Sequence, residues 1–176
     1  MSHKIPVSVL VVIHSADLQV LLIERADKPG FWQSVTGSID TPDEILYATA
    51  ARELFEETGI VAGLEHPDAL PLLDWGLSNN YEIYPVWRHR YGPGVTHNVE
   101  HVFSTCVPRD SIITLSAREH LRYVWLPYLE AADRCFSSSN AEAILQLPMR
   151  LGTAGAQPAA DCAPHSDTSG APQRMK

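Results

Sequence analysis

From Thr41 to Thr58 the chain reads TPDEILYATAARELFEET, a helical segment that must bury one side while carrying three glutamates on another. Thr41-Pro42-Asp43-Glu44 offers a capping threonine, a proline at the first helical position and a glutamate at the third. That is the pattern of a capping box, with proline where its missing N–H costs nothing. Gly59 follows as the expected stop. At about 100° per residue, Glu53, Glu56 and Glu57 share roughly a third of the circumference. Tyr47, Ala48, Ala51, Leu54 and Phe55 are the expected buried face on the opposite side. Carboxylates at i, i+3 and i+4 repel one another, which weakens an isolated helix by a few tenths of a kcal/mol per pair. A divalent cation removes that penalty. With no cysteine or histidine interleaved, the oxygen ligands select magnesium or manganese over zinc. A solvated acidic face is the plainer explanation of such a cluster, so the surrounding residues must decide.

Strand-like runs enclose this helix. Val7–His14 and Gln19–Arg25 are β-branched and joined by the polar turn SADL, which predicts a hairpin of largely buried strands. Phe31–Thr36 is a third candidate strand, ending at Gly37. Further runs lie at Ala69–Trp75, Tyr81–Tyr91, His101–Val107 and Tyr123–Leu126, followed by helical patterns near Pro127–Phe136 and Ser139–Leu147. Strands, one strong helix, more strands and terminal helices predict an α+β fold, an α/β/α sandwich. One domain is expected over residues 1–151. Residues 152–176 are small, polar and proline-dotted, and are expected to form a disordered tail.

Composition narrows the partners. Thirteen basic against 21 acidic residues give a formal charge of -8, which argues against a nucleic-acid backbone binder. It does not exclude a polyphosphate, because carboxylate-held divalent cations bring such a ligand in. Cys106, Cys135 and Cys162 supply neither a disulfide framework nor a zinc knuckle, and a reducing cytoplasm suits them. The apolar run Val7–Ile13 is too short to span a bilayer. A small-molecule ligand is expected, with no nucleic acid, no membrane and no protein partner indicated.

Gly37, Glu44, Arg52, Glu53, Leu54, Glu56, Glu57, Gly59 and Ile60 together read G-x6-E-x7-R-E-L-x-E-E-x-G-I. This resembles the Nudix signature, with one residue more than the family pattern between Gly37 and Glu44. The insertion lies in the loop SIDTPD and leaves the helical glutamates in register, but opens the role of Glu44 between orienting the helix and completing the cap. FWQSVTGS at Phe31–Ser38, RHRY at Arg88–Tyr91, PGVT at Pro93–Thr96 and EHL at Glu119–Leu121 resemble one branch, the bacterial dihydroneopterin triphosphate diphosphatases.

The resemblance implies a Nudix fold and a magnesium-dependent pyrophosphohydrolase of the folate pathway, with manganese as a substitute. It implies metal ligands at Glu53 and Glu57, a ligand or base at Glu56, and Arg52 beside them in the catalytic set. Glu119 matches a ligand from outside the signature helix, with Glu100 as its rival. Lys4, Arg25 and Thr36 match substrate-contacting positions, and Tyr81, Glu82, Ile83 and Tyr84 match a strand that lines the base pocket. Alternation allows only one pair of those four to face a ligand. Arg88 and Arg90 meet either phosphate or neighbouring acids. Other nucleoside triphosphates or dinucleoside polyphosphates are the alternative substrates. A non-catalytic ligand-binding module is the alternative class, against which stand the three retained glutamates.

Overall fold

The architecture grows outward from one strand. The computed structural model describes residues 3–63 and 67–153, and at its centre lies β1 (Val7–His14). Val9, Val11 and Ile13 point to one side of the sheet, Leu10 and Val12 to the other, and none has exposed surface. A strand covered on both faces reads as a continuous apolar run, as VSVLVVIH does.

β2 (Gln19–Arg25) returns antiparallel to β1, with Ile13 opposite Leu21, and completes the expected hairpin. On the other flank β6 (His97–Cys106) runs parallel to β1 from Val7↔Val99 to His14↔Cys106. The outermost strand there, β5 (Leu72–Glu82), pairs antiparallel with β6. β3 (Trp32–Gln33) and β7 (His120–Pro127) pair with β2, and β4 (Val35–Ser38) pairs with β1. The sheet is therefore mixed.

Helix α1 (Leu46–Thr58) covers the Val9 side through Ala50, Ala51 and Leu54, which pack among Val11, Val35 and Phe103. Helices α2 (Tyr128–Arg134) and α3 (Ser138–Thr153) cover the Leu10 side through Ala131, Ala143, Ile144 and Leu147. The result is a helix–sheet–helix α+β sandwich. No helix among the described residues is long and apolar enough to cross a membrane.

Several local expectations need correction. The candidate strand Phe31–Thr36 breaks at Ser34, whose amide leaves the ladder to donate to Asn140 Oδ1 at 2.7 Å. Leu72–Glu82 is one strand, with a register shift between Asp74 and Ser78 where Gly76 takes a φ of 60°. The run Tyr81–Tyr91 is no strand beyond Glu82. Pro85 has no N–H for a ladder and instead starts a 3-10 helix, Pro85–Arg90. α3 continues past Leu147 with Pro148 inside it. Its last turn is held where Arg150 donates to the Trp75 carbonyl at 3.3 Å and stacks over the Trp75 ring. Residues 154–176 of the expected tail lie outside the described residues.

The capping box does not form. α1 begins after Ile45, which makes no side-chain cap bond. Residues 41–44 turn instead, with the Glu44 amide bonded to the Thr41 carbonyl at 3.1 Å. The Glu44 carboxylate accepts the Asp40 amide at 2.5 Å and pairs with Arg52 at 3.1 Å. The buried side of α1 is also rotated from its expected position. Thr49, Ala50, Ala51, Leu54, Glu57 and Thr58 are buried, whereas Tyr47, Ala48 and Phe55 are exposed. The sheet and the loop after β6 pull the Glu57 side inward.

Candidate active site

Glu53 and Glu57 differ from Glu56 in where α1 carries them. Glu53 lies against Gly37 in β4 so closely that a Cβ on Gly37 would stand 1.8 Å from Glu53 Cδ. Gly37 does not have a positive φ, so the glycine is required by close approach and not by backbone strain. Arg52 holds this carboxylate with Nη1 at 2.8 Å from Glu53 Oε1 and reaches Glu44 and the Ser38 carbonyl with its other nitrogens. Glu44 thus orients Arg52 and, through it, Glu53. Burial pushes the Glu53 carboxyl up to about 7, against the pull of Arg52. Glu56 is exposed, and its contact is Arg52 Nη1 at 3.5 Å.

Glu57 is 3% exposed. Its Oε2 lies 3.3 Å from His120 Nε2, but the contact lacks hydrogen-bond geometry and both atoms are unsatisfied. Burial raises the Glu57 pKa; His120 and the Thr36 amide oppose the shift. The loop between β6 and β7 brings His120 there. Its Thr114 amide bonds to the Thr58 carbonyl at 2.8 Å and its Ser116 amide to the Glu57 carbonyl at 3.3 Å, so the loop docks on the C-terminus of α1. The Glu119 carbonyl accepts the Ala26 amide at 2.8 Å. Glu57, Glu119 and His120 then present ligand atoms within 4.8 Å of one another. Glu100 is not in this group.

This cluster opens into a cavity of about 720 Å³, within the range of sites that hold drug-sized ligands. Thr36, Gly37 and Glu57 line it, as do Tyr81, Asn98 and Glu100. Lys4 reaches the wall because its amide bonds to the Arg90 carbonyl at 2.8 Å. Arg25 also lines it, already engaged by Asp27 at 2.8 Å and Gln33 at 3.2 Å, with its guanidinium 4.9 Å from the Trp87 ring centroid. Thr36 Oγ1 accepts from Gln33 Nε2 at 3.2 Å. Arg90 pairs with Asp27 at 3.1 Å and Arg88 with Glu82, so both arginines meet acids.

All four residues from Tyr81 to Tyr84 line the cavity, because the strand ends at Glu82 and the chain turns there. The alternation argument therefore stops applying beyond Glu82. Glu82 stands exposed beside Arg88, Ile83 is buried, and Tyr84 joins an aromatic group with Trp87 and Phe136. Of the sequence-derived candidates, Arg52, Glu53 and Glu56 are not part of the cavity wall. His120, Asn98, Trp87 and Phe136 went unassigned in the sequence. The one available signal was in β6, where Asn98 and Glu100 alternate in phase with the buried Val102.

A mixed sheet between helices, a glycine packed under a helical glutamate, and buried carboxylates facing a cavity describe a phosphoanhydride-hydrolase site. The NUDIX domain family model matches residues 4–147, and the chain belongs to the Nudix family. It is 43% identical to the dihydroneopterin triphosphate diphosphatase of Escherichia coli K12, over 82% of this chain and 93% of that protein. It is 41% identical to the enzyme of the same name from Haemophilus influenzae, over 82% of this chain and 88% of that one. The solved E. coli dihydroneopterin triphosphate pyrophosphohydrolase superposes with a TM-score of 0.76, covering 85% of this chain and 99% of that one. Nudix hydrolases generally use divalent metal and act on small phosphate-bearing molecules, and the Glu57 and Glu119 carboxylates are the kind of donors such an ion takes.

Proposed function

We propose that this chain is a magnesium-dependent diphosphatase of dihydroneopterin triphosphate, releasing pyrophosphate and leaving the monophosphate. The observation that carries this is one cavity whose wall holds the Glu57–Glu119 carboxylates together with cationic, polar and aromatic side chains. The likeness to the two named diphosphatases selects the pterin among triphosphate substrates.

The residues fit the ion: Glu57 Oε2 is a buried acceptor without a partner, and Glu119 faces it from the loop. Glu53, Glu57 and Glu119 would hold magnesium. When bound, it supplies charge neutralisation on phosphate oxygens and a more acidic water. Arg52 fixes Glu53, and Gly37 gives that carboxylate its space. Lys4 and Arg25 take phosphate oxygens by charge-assisted hydrogen bonds, with Thr36 donating its hydroxyl. The oxygen of the attacking water joins phosphorus as its proton passes to solvent, the α–β anhydride bond breaks, and pyrophosphate leaves with the electron pair. Glu56, exposed beside Arg52, tunes that arginine in this arrangement and is not a ligand.

Product analysis in magnesium tests the proposal. Pyrophosphate and the pterin monophosphate should appear together, with kcat/KM above that for dATP and 8-oxo-dGTP. Release of single phosphates, a higher kcat/KM for either nucleotide, or no turnover at all would overturn it.

A further inference from the structure

Far from α1 in sequence, β6 turns two polar side chains into the cavity that no catalytic step uses. Asn98 is 1% exposed and Glu100 is 5% exposed. Asn98 Nδ2 donates to Ser8 Oγ at 2.7 Å and to Tyr81 Oη at 3.1 Å, so both amide hydrogens are engaged and the orientation of the side chain is fixed. Its Oδ1 is left buried without a partner. Glu100 Oε1 accepts from Ser139 Oγ at 2.9 Å, and no cation pairs with this carboxylate among the described residues. Burial pushes the Glu100 carboxyl up to about 7. One acceptor, Asn98 Oδ1, thus faces the cavity wall without a donor, and the Glu100 carboxylate beside it has a single neutral one; buried polar groups in native proteins almost always find partners.

We infer that Glu100 and Asn98 read the base end of the substrate, accepting hydrogen bonds from paired N–H donors such as the 2-amino and N3–H groups of a pterin. The inference rests on the proposed substrate and assigns the reading of its base edge to β6, and not to Glu82, the one carboxylate among the four residues expected to line the base pocket. Glu82 is exposed and committed to Arg88, whereas Glu100 is buried and uncompensated. A flat ring held at Glu100 has the aromatic group of Tyr84, Trp87 and Phe136 along the same cavity, and π-faces suit its apolar surface. Guanine carries the same amino and ring N–H edge and adenine does not, so the pair selects by donor pattern and not by ring size.

The test compares kcat/KM for dihydroneopterin triphosphate, dGTP and dATP in the wild type, Glu100→Gln and Glu82→Gln. Glu100→Gln preserves shape and removes an uncompensated buried charge, so the fold should hold. It should lose about 10–100-fold on the two amino-bearing substrates and little on dATP. Glu82→Gln should change all three alike, by less than about threefold, as expected for an exposed ion pair. Calorimetric titration with free neopterin, which has no phosphates, gives a readout independent of turnover; affinity should fall in Glu100→Gln alone. Equal losses on dGTP and dATP, no loss, or a selective loss in Glu82→Gln would each overturn the assignment. A wild type that prefers dATP to dihydroneopterin triphosphate defeats the proposed function instead, while the dGTP-to-dATP ratio and the neopterin titration still judge Glu100.

Discussion

At Gly37 a single hydrogen atom decides whether the carboxylate of Glu53 fits. Gly37→Ala would place a methyl group on that carboxylate, and Glu53 would have to leave Arg52. We expect kcat to fall by at least tenfold while the melting temperature changes little, because the side chain and not the backbone must move; unchanged kcat would show that the Glu53 position is immaterial. Glu57→Gln should cost orders of magnitude in kcat with the fold intact, and chelation should abolish turnover. Glu56→Gln should cost much less, since Glu56 is exposed whereas Glu57 is buried. Equal losses at positions 56 and 57, measured in saturating magnesium, would put Glu56 among the ligands.

The elements matter through the way they dock. α1 is held on the sheet by Leu54, which has no exposed surface among Val11, Val35 and Phe103. Leu54→Ala should destabilise the protein by about 2–5 kcal/mol in denaturant unfolding, from lost transfer energy and a residual cavity. A loss under about 1 kcal/mol would mean that the helix repacks. Gly59 ends α1 with φ at 74°, its amide bonded to the Phe55 carbonyl at 2.8 Å. Gly59→Ala should cost about 1 kcal/mol from the left-handed conformation. The docked Thr114 side chain also stands 3.2 Å from the added Cβ. Activity should drop further than stability there, because that loop delivers Glu119 and His120. Equal effects would separate the loop from the site.

For the whole molecule, the buried acids set a pH dependence. Glu53 and Glu100 have carboxyl groups raised from 4.5 to about 7 in the fold, so near neutrality the folded protein holds protons that the unfolded chain has released. Their contribution is full below about 4.5 and is lost as pH rises through 7. His14, lowered from 6.5 by burial, acts in the opposite sense but only below 6.5. Between about 6.5 and 7.5 metal-free stability should therefore fall, on the order of 1 kcal/mol per pH unit. The proposed magnesium site would favour the ionised glutamates, so the gain in melting temperature on adding magnesium should be larger at pH 8 than at pH 6. A metal-free profile that rises across neutrality, or a magnesium gain independent of pH, would refute this.

The Nudix signature, the helix on which it lies and the stop at Gly59 were legible in the residues because they are local: period, spacing and turn chemistry lie within one segment. The buried β1 strand was legible for the same reason, its unbroken apolar run requiring cover on both faces. The capping box failed because the Glu44 carboxylate went to Arg52 and the Asp40 amide, a competition between distant partners that no local pattern ranks. The rotation of α1 likewise came from what it packs against. Glu57 is drawn under the docking loop, although a helical wheel treats every glutamate as solvent-seeking. The cavity belongs wholly to the tertiary structure: parallel pairing of β1 with β6 sets Ser8 beside Glu100, and α3 brings Ser139 to its carboxylate. Sequence by itself determined which residues could do the chemistry. Only the packing of sheet, helix and loop decided which of them lost their water, and that loss leaves the acceptors of Glu57 and Asn98 unsatisfied and the Glu100 charge uncompensated, ready for a ligand.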